Sequence, residues 1–263
     1  STIYAINDSF YSYQPTIFTI DAGQTPAQIT AALPVTRGGM PAQKLDMEGI
    51  TLDGQGGFWV ASEGRTDRMT PHGIYHVEAD GNIDREISLP AELLAVEDRF
   101  GFEGITLIGD TLWMAVQREW GDDAKGHVKL VAYNLDTEDW GAVSYPLDAA
   151  GAGWVGLSEI TAHGDFVYVV ERDNQIGDAA KIKKIYSVPA AEMVPAAPGS
   201  ELPVVTKTEV RDLIPDLKTN GGYVVDKVEG LAIMADGTAW ASTDNDGVDD
   251  SSGETFFWSL GQF

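Results

Sequence analysis

An all-β fold of repeated four-stranded antiparallel blades, a β-propeller, is predicted for this chain by three observations. First, the stretch DMEGITLDGQGGFWVASEG (residues 46–64) recurs as FEGITLIGDTLWMAVQRE (102–119), LSEITAHGDFVYVVERD (157–173) and VEGLAIMADGTAWASTDND (228–246). Each copy reads as a strand opening on a glutamate, a glycine turn, and a second strand closing on a polar residue. Second, the leading glutamates Glu48, Glu103, Glu159 and Glu229 stand 55, 56 and 70 residues apart, a spacing expected of blades. Third, between these copies lie further short alternating runs bounded by Gly, Asp and Asn, which bring each repeat to about four strands.

Taken in order, residues 2–8, 15–21 and 29–35 alternate as strands, and the opening YAINDSF matches only the second half of the repeat. Residues 37–44, with Gly-Gly and Pro, form a connection. The second repeat predicts strands at 47–53, 57–62, 73–77 and 83–89, then a short helix within 90–98. The third predicts 102–108, 111–117, 128–135 and 141–147. The fourth predicts 157–162, 166–171, 183–188 and 204–211, lengthened by the Ala/Pro-rich segment 189–203. The fifth predicts 228–234, 238–243 and 255–260. The repeats thus cover about 1–45, 46–100, 101–155, 156–225 and 226–263 of a single propeller domain, the first lacking its innermost strand and the last its outermost. Open strand edges invite association. The expectation is therefore a portion of a larger, seven-bladed propeller, completed by an upstream segment of the same protein or by a second chain.

Composition narrows the function. The 263 residues carry 41 acidic and 17 basic side chains, a formal net charge of −24. Such a chain does not offer a basic surface to nucleic acid, and anionic membranes repel it. It attracts cations, although most of its carboxylates are expected to be solvated surface. No cysteine is present, so disulfides and thiolate metal sites are excluded. No run of about 18 apolar residues occurs, so no membrane insertion by a helix is expected.

Antiparallel pairing sets the start of each inner strand beside the end of the next. The leading glutamates then neighbour Asp8, Glu63, Gln117, Glu171 and Asp244, with Glu119 close behind Gln117. In a propeller these positions converge on one mouth of the central channel. So many carboxylates cannot all ionise without compensation, and Ca²⁺, which takes roughly six to eight oxygen ligands in irregular geometry, supplies it. The expected metal ligands are Asp8, Glu48, Glu103, Glu119, Glu159, Glu229, Asp244 and Asp246. The Gly after the glutamate (Gly49, Gly104, Gly230) suits close backbone approach at a crowded axis, and blade four, with Ser158-Glu159-Ile160, lacks it. A purely structural role for the repeated Glu-Gly is the competing explanation.

The segments YAINDSF, DMEGIT with WVASEG, RFGFEGIT with QREWGDDAKG, GWVGLSEIT with VERDNQ, VRDLIPDL, DKVEGLA and TDNDGVDDSSGET together resemble the phytase-like ("esterase-like activity of phytase") β-propeller family of exported bacterial proteins. The resemblance runs over the whole chain and implies a calcium-linked phosphoesterase, exported to the periplasm or the exterior, of which this chain is the C-terminal portion. A phosphoesterase at this mouth takes a small phosphate ester and delivers a metal-activated water. Arg118, Arg172 and Lys227, each beside a motif acid, are the candidate phosphate clamps, with ion pairing as their bland alternative. Glu63 or Glu171 is the candidate general base. No Gly-x-Ser-x-Gly elbow is present. The four histidines lack metal-ligand spacing and are expected at the surface. Asp244–Glu254 fails the EF-hand pattern, and Trp59, Trp113 and Trp240 are expected to pack between blades. A non-catalytic exported module, calcium-braced and binding a protein or surface partner, is the alternative function.

Overall fold

The computed structural model describes residues 1–7, 14–64, 69–220, 222–245 and 255–263. Blade one comprises β1 (Thr2–Ile6), β2 (Thr16–Asp21) and β3 (Gln28–Pro34), followed by a small hairpin of β4 (Thr36–Arg37) and β5 (Met40–Pro41). Blade two is β6 (Met47–Leu52), β7 (Phe58–Ser62), β8 (Gly73–Val77) and β9 (Ile83–Ser88), and the short helix α1 (Ala91–Leu94) follows it. Blade three is β10 (Phe102–Ile108), β11 (Thr111–Val116), β12 (His127–Asn134) and β13 (Trp140–Pro146). Blade four is β14 (Val155–His163), β15 (Phe166–Asp173), β16 (Lys183–Pro189) and β17 (Thr208–Asp212). After helix α2 (Ile214–Asn220), blade five contributes β18 (Val228–Ile233), β19 (Thr238–Thr243) and β20 (Phe257–Gln262). Each sheet is antiparallel, with spatial order following chain order, so the predicted propeller is the observed architecture.

The alternation of side chains along each strand builds the core between blades rather than within them. On β11, Leu112, Met114 and Val116 face blade two, with Trp59, Ile74 and Ile87. Trp113 and Ala115 face blade four, with Leu157, Ile160 and Val169. Similar clusters join blades one and two around Val60 and Tyr75, and blades four and five around Val170, Leu231 and Leu217 of α2. The innermost strands β6, β10, β14 and β18 run side by side around the axis. β1 lies against β6 as β7 lies against β10, so blade one starts at its second strand, as its sequence match predicts.

Two local expectations change. Residue Val204 does not extend the outer strand of blade four. The segment around it crosses back to blade three, where Val204 bridges Ser144 and Ala196 bridges Ala142, covering the free edge of β13. The fourth strand of blade four begins only at Thr208. Trp59 and Trp113 are buried between blades, at 6% and 2% exposure. Trp240 is instead half-buried, stacked on Phe257 with ring centroids 5.0 Å apart, and its buried indole N–H has no partner among the described residues.

Gly49 and Gly104, after the leading acids of blades two and three, are required by distance. A Cβ on Gly49 would lie 2.6 Å from the Gly104 Cα, and one on Gly104 would lie 2.6 Å from the Ile160 nitrogen. Backbone is on both sides, so nothing can swing away. Gly104→Ala is therefore expected to lower stability by about 3 kcal/mol, read by urea unfolding; an unchanged midpoint would refute close blade packing at the axis.

Candidate functional site

Each inner strand carries a β-bulge at its mouth end. The register shifts between Met47 and Gly49, Phe102 and Gly104, Leu157 and Glu159, and Val228 and Gly230. The extra residues are therefore Glu48, Glu103, Ser158 and Glu229. A bulge re-aims its side chain out of the regular alternation, here toward the channel. Blade four departs from the expected alignment by one position. Ser158 holds the bulge and donates its hydroxyl to the Val228 carbonyl at 2.7 Å, while Glu159 takes the position that glycine fills elsewhere. The spacing to the second-strand aromatic already carried this signal, since Ser158 precedes Tyr168 by 10 positions, as Glu103 precedes Trp113.

The same register fixes the second row. Glu63, Gln117, Arg172 and Asp244 each follow the residue paired with Met47, Phe102, Leu157 or Val228. In blade four the mouth position thus belongs to Arg172, and Glu171 points to the opposite face. Glu171 is fully buried there, accepting hydrogen bonds from Lys207 Nζ at 2.6 Å, Tyr145 Oη at 3.0 Å and the Asp148 amide at 2.6 Å. It is a structural carboxylate between blades three and four. Sequence spacing could not separate Glu171 from Arg172, because adjacent strand residues differ only in the face they take.

Around the ring the acids meet different compensation. In blade three, Glu103 accepts a hydrogen bond from Gln117 Nε2 at 2.7 Å and is 4% exposed. In blades four and five, the buried Arg172 guanidinium spans Glu229 at 2.5 Å and Asp226 at 3.1 Å, and Lys227 lies 3.3 Å from Asp244. Buried Lys183 adds contacts to Asp173 at 3.2 Å and Asp226 at 3.6 Å. Glu159 accepts from its own neighbour's amide, Ile160, at 2.8 Å. Glu119 caps its own loop by accepting from the Gly126 amide, and it is exposed. The predicted ligands Glu103, Glu119, Glu159, Glu229 and Asp244 are therefore not gathered around one point. Asp8 and Asp246 lie outside the described residues.

Blade two is different. Asp46, Glu48 and Glu63 each place a carboxylate oxygen within 4.8 Å of the others. Asp46 precedes β6 and its carbonyl accepts from the Glu63 amide at 2.8 Å, so strand pairing itself holds the two side by side. Asp46 is a ligand candidate that the repeat pattern misses, because Gly101, Gly156 and Lys227 stand in its place in the other blades. Three oxygens this close, on hard carboxylates, suit Ca²⁺ or a similar hard cation.

The titration behaviour follows this geometry. Burial, then the charges of Glu103, Asp46, Glu229 and Glu63, push Glu48 well above the ordinary glutamate range. Glu63 is raised to about 7 by burial, with the Gly101 amide opposing the shift and Asp46 and Glu229 reinforcing it. Burial raises Glu103 and Glu159 well above normal as well. Glu229 is raised by burial but held back by Arg172 and Lys227. Removing Arg172 would leave Glu229 and Asp226 without their guanidinium. Arg172→Ala should cost about 3–5 kcal/mol, measured by chemical unfolding; a loss below about 1 kcal/mol would contradict the pairing.

A ladder of cations and aromatic rings continues from the acid triad along the mouth. Gly101 donates its amide to Glu63 Oε1 at 3.0 Å, and its neighbour Phe100 lies under the Arg118 guanidinium, 4.3 Å from ring centre to Cζ. Arg118 also lies 5.0 Å from the Trp154 ring, which Arg172 approaches to 5.3 Å. Among the described residues no carboxylate lies within ion-pairing distance of Arg118. Of the three predicted clamps, Arg172 and Lys227 are engaged with protein acids, whereas the contacts of Arg118 among the described residues are with the Phe100 and Trp154 rings.

A family model described as phytase-like, esterase-like activity of phytase, matches residues 1–247. The chain is also similar to two solved structures. One is a luciferin-regenerating enzyme, at 14% identity over 99% of this chain and 75% of that one, with a TM-score of 0.46. The other is the major allergen Mala s 1 of Malassezia sympodialis, at 11% identity over 99% of this chain and 89% of that one, with a TM-score of 0.48. Neither likeness bears on what this chain does. A comparison with curated proteins finds no significant match.

Proposed function

Because this chain belongs to the phytase-like family described by esterase-like activity, we propose that it is a calcium-dependent phosphoesterase acting on a small phosphate ester. The observation that carries the reading is the convergence of Asp46, Glu48 and Glu63, whose carboxylate oxygens lie within 4.8 Å of one another, next in the fold to the Arg118 guanidinium, which has no acid partner among the described residues. The triad would hold one Ca²⁺, and the ion, when bound, would polarise the phosphoryl group and lower the pKa of a water. Three carboxylates fall short of a full calcium shell, which leaves positions for water and substrate. Arg118, pinned between Phe100 and Trp154, would bind a phosphate oxygen through its planar N–H groups. Glu63 keeps one oxygen on the Gly101 amide, and its other oxygen serves the ion or the proton of the attacking water. Arg172 acts indirectly, by fixing Glu229 and the Trp154 face.

The surrounding assignments belong to the same proposal. The protein is exported, consistent with the character implied by its resemblance, and among the described residues no helix is long and apolar enough to cross a membrane. Trp240, half-buried where its counterparts are covered by a neighbouring blade, is where an upstream segment or a second chain would extend the ring.

The test is hydrolysis of p-nitrophenyl phosphate, bis-p-nitrophenyl phosphate, phytate and p-nitrophenyl acetate, with Ca²⁺ and with EDTA. The proposal expects calcium-dependent turnover of at least one phosphate ester, exceeding that of the acetate. Turnover of the acetate alone, unaffected by EDTA, would make the protein a metal-independent carboxylesterase. No turnover of any ester would favour the calcium-braced binding module.

A further inference from the structure

The sequence pattern places His72 in a surface turn, yet its side chain is 1% exposed and lies beside the acid triad. Its Nδ1 accepts a hydrogen bond from the Gly64 amide at 3.0 Å, immediately after Glu63. An imidazole nitrogen that accepts from an amide carries no proton, so the ring is neutral with its hydrogen on Nε2. That nitrogen stands 2.7 Å from Glu97 Oε2, off the ideal N–H axis, on the segment after α1. The ring fills the space between two glycines. A Cβ on either Gly64 or Gly101 would collide with it. Gly101 is the residue whose amide holds Glu63 Oε1. The ring also meets Trp120 edge-on, 6.1 Å between centroids, which ties it to blade three.

We propose that His72, oriented by Glu97, is a positioning residue for the Glu63 carboxylate: it fixes the chain on one side of Glu63 through Gly64 and spaces the Gly101 amide on the other. This rests on the reading of Asp46, Glu48 and Glu63 as a calcium site and assigns that site its supporting residues. Nothing in the repeat demands a histidine here. The segment from Gly64 to His72 is specific to blade two, the blade that carries the triad. Outer partners of metal ligands commonly contribute a factor of roughly 10–100 in affinity.

Calcium titration calorimetry on the full chain, with His72→Asn, His72→Gln and His72→Ala beside the parent, tests this. The Asn amide oxygen reaches where Nδ1 stands and can accept from Gly64, whereas Gln places its amide toward Glu97 and leaves Gly64 unpaired. The expected result is near-parental calcium affinity for His72→Asn and a loss of roughly 10–100-fold for His72→Gln and His72→Ala. Melting in EDTA is measured in parallel. A merely structural histidine would lower the metal-free melting temperature of all three variants while leaving their calcium affinities equal to the parent's, and that result overturns the proposal. Equal loss of affinity in all three also overturns it, since the Gly64 contact would then not matter. If the parent itself binds no Ca²⁺, the calcium reading fails and this inference with it; if the parent binds and the variants match it, only the inference fails.

Discussion

Glu63→Gln is expected to lower phosphoesterase turnover by about 10²-fold or more and to weaken calcium binding, with little loss of fold. The substitution preserves shape and still accepts from the Gly101 amide, but it removes both a ligand charge and the group whose carboxyl is pushed up to about 7. Glu171→Gln, by contrast, should destabilise the protein, because it breaks the ion pair with Lys207 in a buried setting. Turnover per folded molecule should stay at the parental level. Asp136→Asn, in an exposed turn between outer strands, should change neither. Steady-state kinetics with calcium saturating and limiting separates the cases. Equal effects of Glu63→Gln and Glu171→Gln on turnover would contradict the assignment of faces.

Without calcium, the protein should be more stable at pH 6 than at pH 8. The folded-state pKa of Glu63 is about 7, against an ordinary value of 4.5. An acid with a raised folded pKa is held more tightly as its protonated form in the fold. Its contribution is full below about 4.5, falls as pH rises toward about 7, and is gone above that. Between pH 6 and 8 Glu63 alone accounts for roughly a tenfold change in the folding constant, or about 1.4 kcal/mol. Glu48, Glu103 and Glu159, shifted further in the same direction, extend the decline to higher pH. The neutral buried His72 has its pKa lowered by burial, which opposes the trend only as pH falls toward its titration range. Calcium should invert the order. It competes with protons for the same oxygens, so its stabilisation is greater at pH 8 and grows with concentration by mass action. Thermal melts at pH 6 and 8, in EDTA and in millimolar Ca²⁺, read this directly. A metal-free melting temperature that rises from pH 6 to 8 would refute the crowded-acid account.

Most of the fold was legible because a propeller writes the same physical requirement several times. Alternation, glycine turns and the matched aromatics Trp59, Trp113 and Tyr168 place the strands within a residue or two. Convergence of the leading glutamates on one channel followed from the same repetition. The differences between blades were not legible in that way, since repetition averages over them. Asp46 belongs to one blade only. Arg172 and Glu171 are neighbours whose faces depend on a bulge, and that bulge shifts blade four so that Ser158 stands where a glutamate was expected. Val204 leaves its blade because the free edge of β13 accepts it. His72 carries no spacing signal, and its burial arises from contacts with Gly64, Gly101 and Glu97 that span two blades. Arg172, Lys183 and Lys227 pair with acids on one side of the ring, whereas Asp46, Glu48 and Glu63 crowd together in blade two.

A crystal grown in calcium, or in manganese as an anomalous stand-in, shows directly whether the channel mouth holds an ion and where. The expected result is a metal peak bound by Asp46, Glu48 and Glu63, at roughly 2.3–2.6 Å for calcium, with remaining positions open toward Arg118. A peak among Glu103, Glu159 and Glu229, or no metal in the mouth at all, would contradict it.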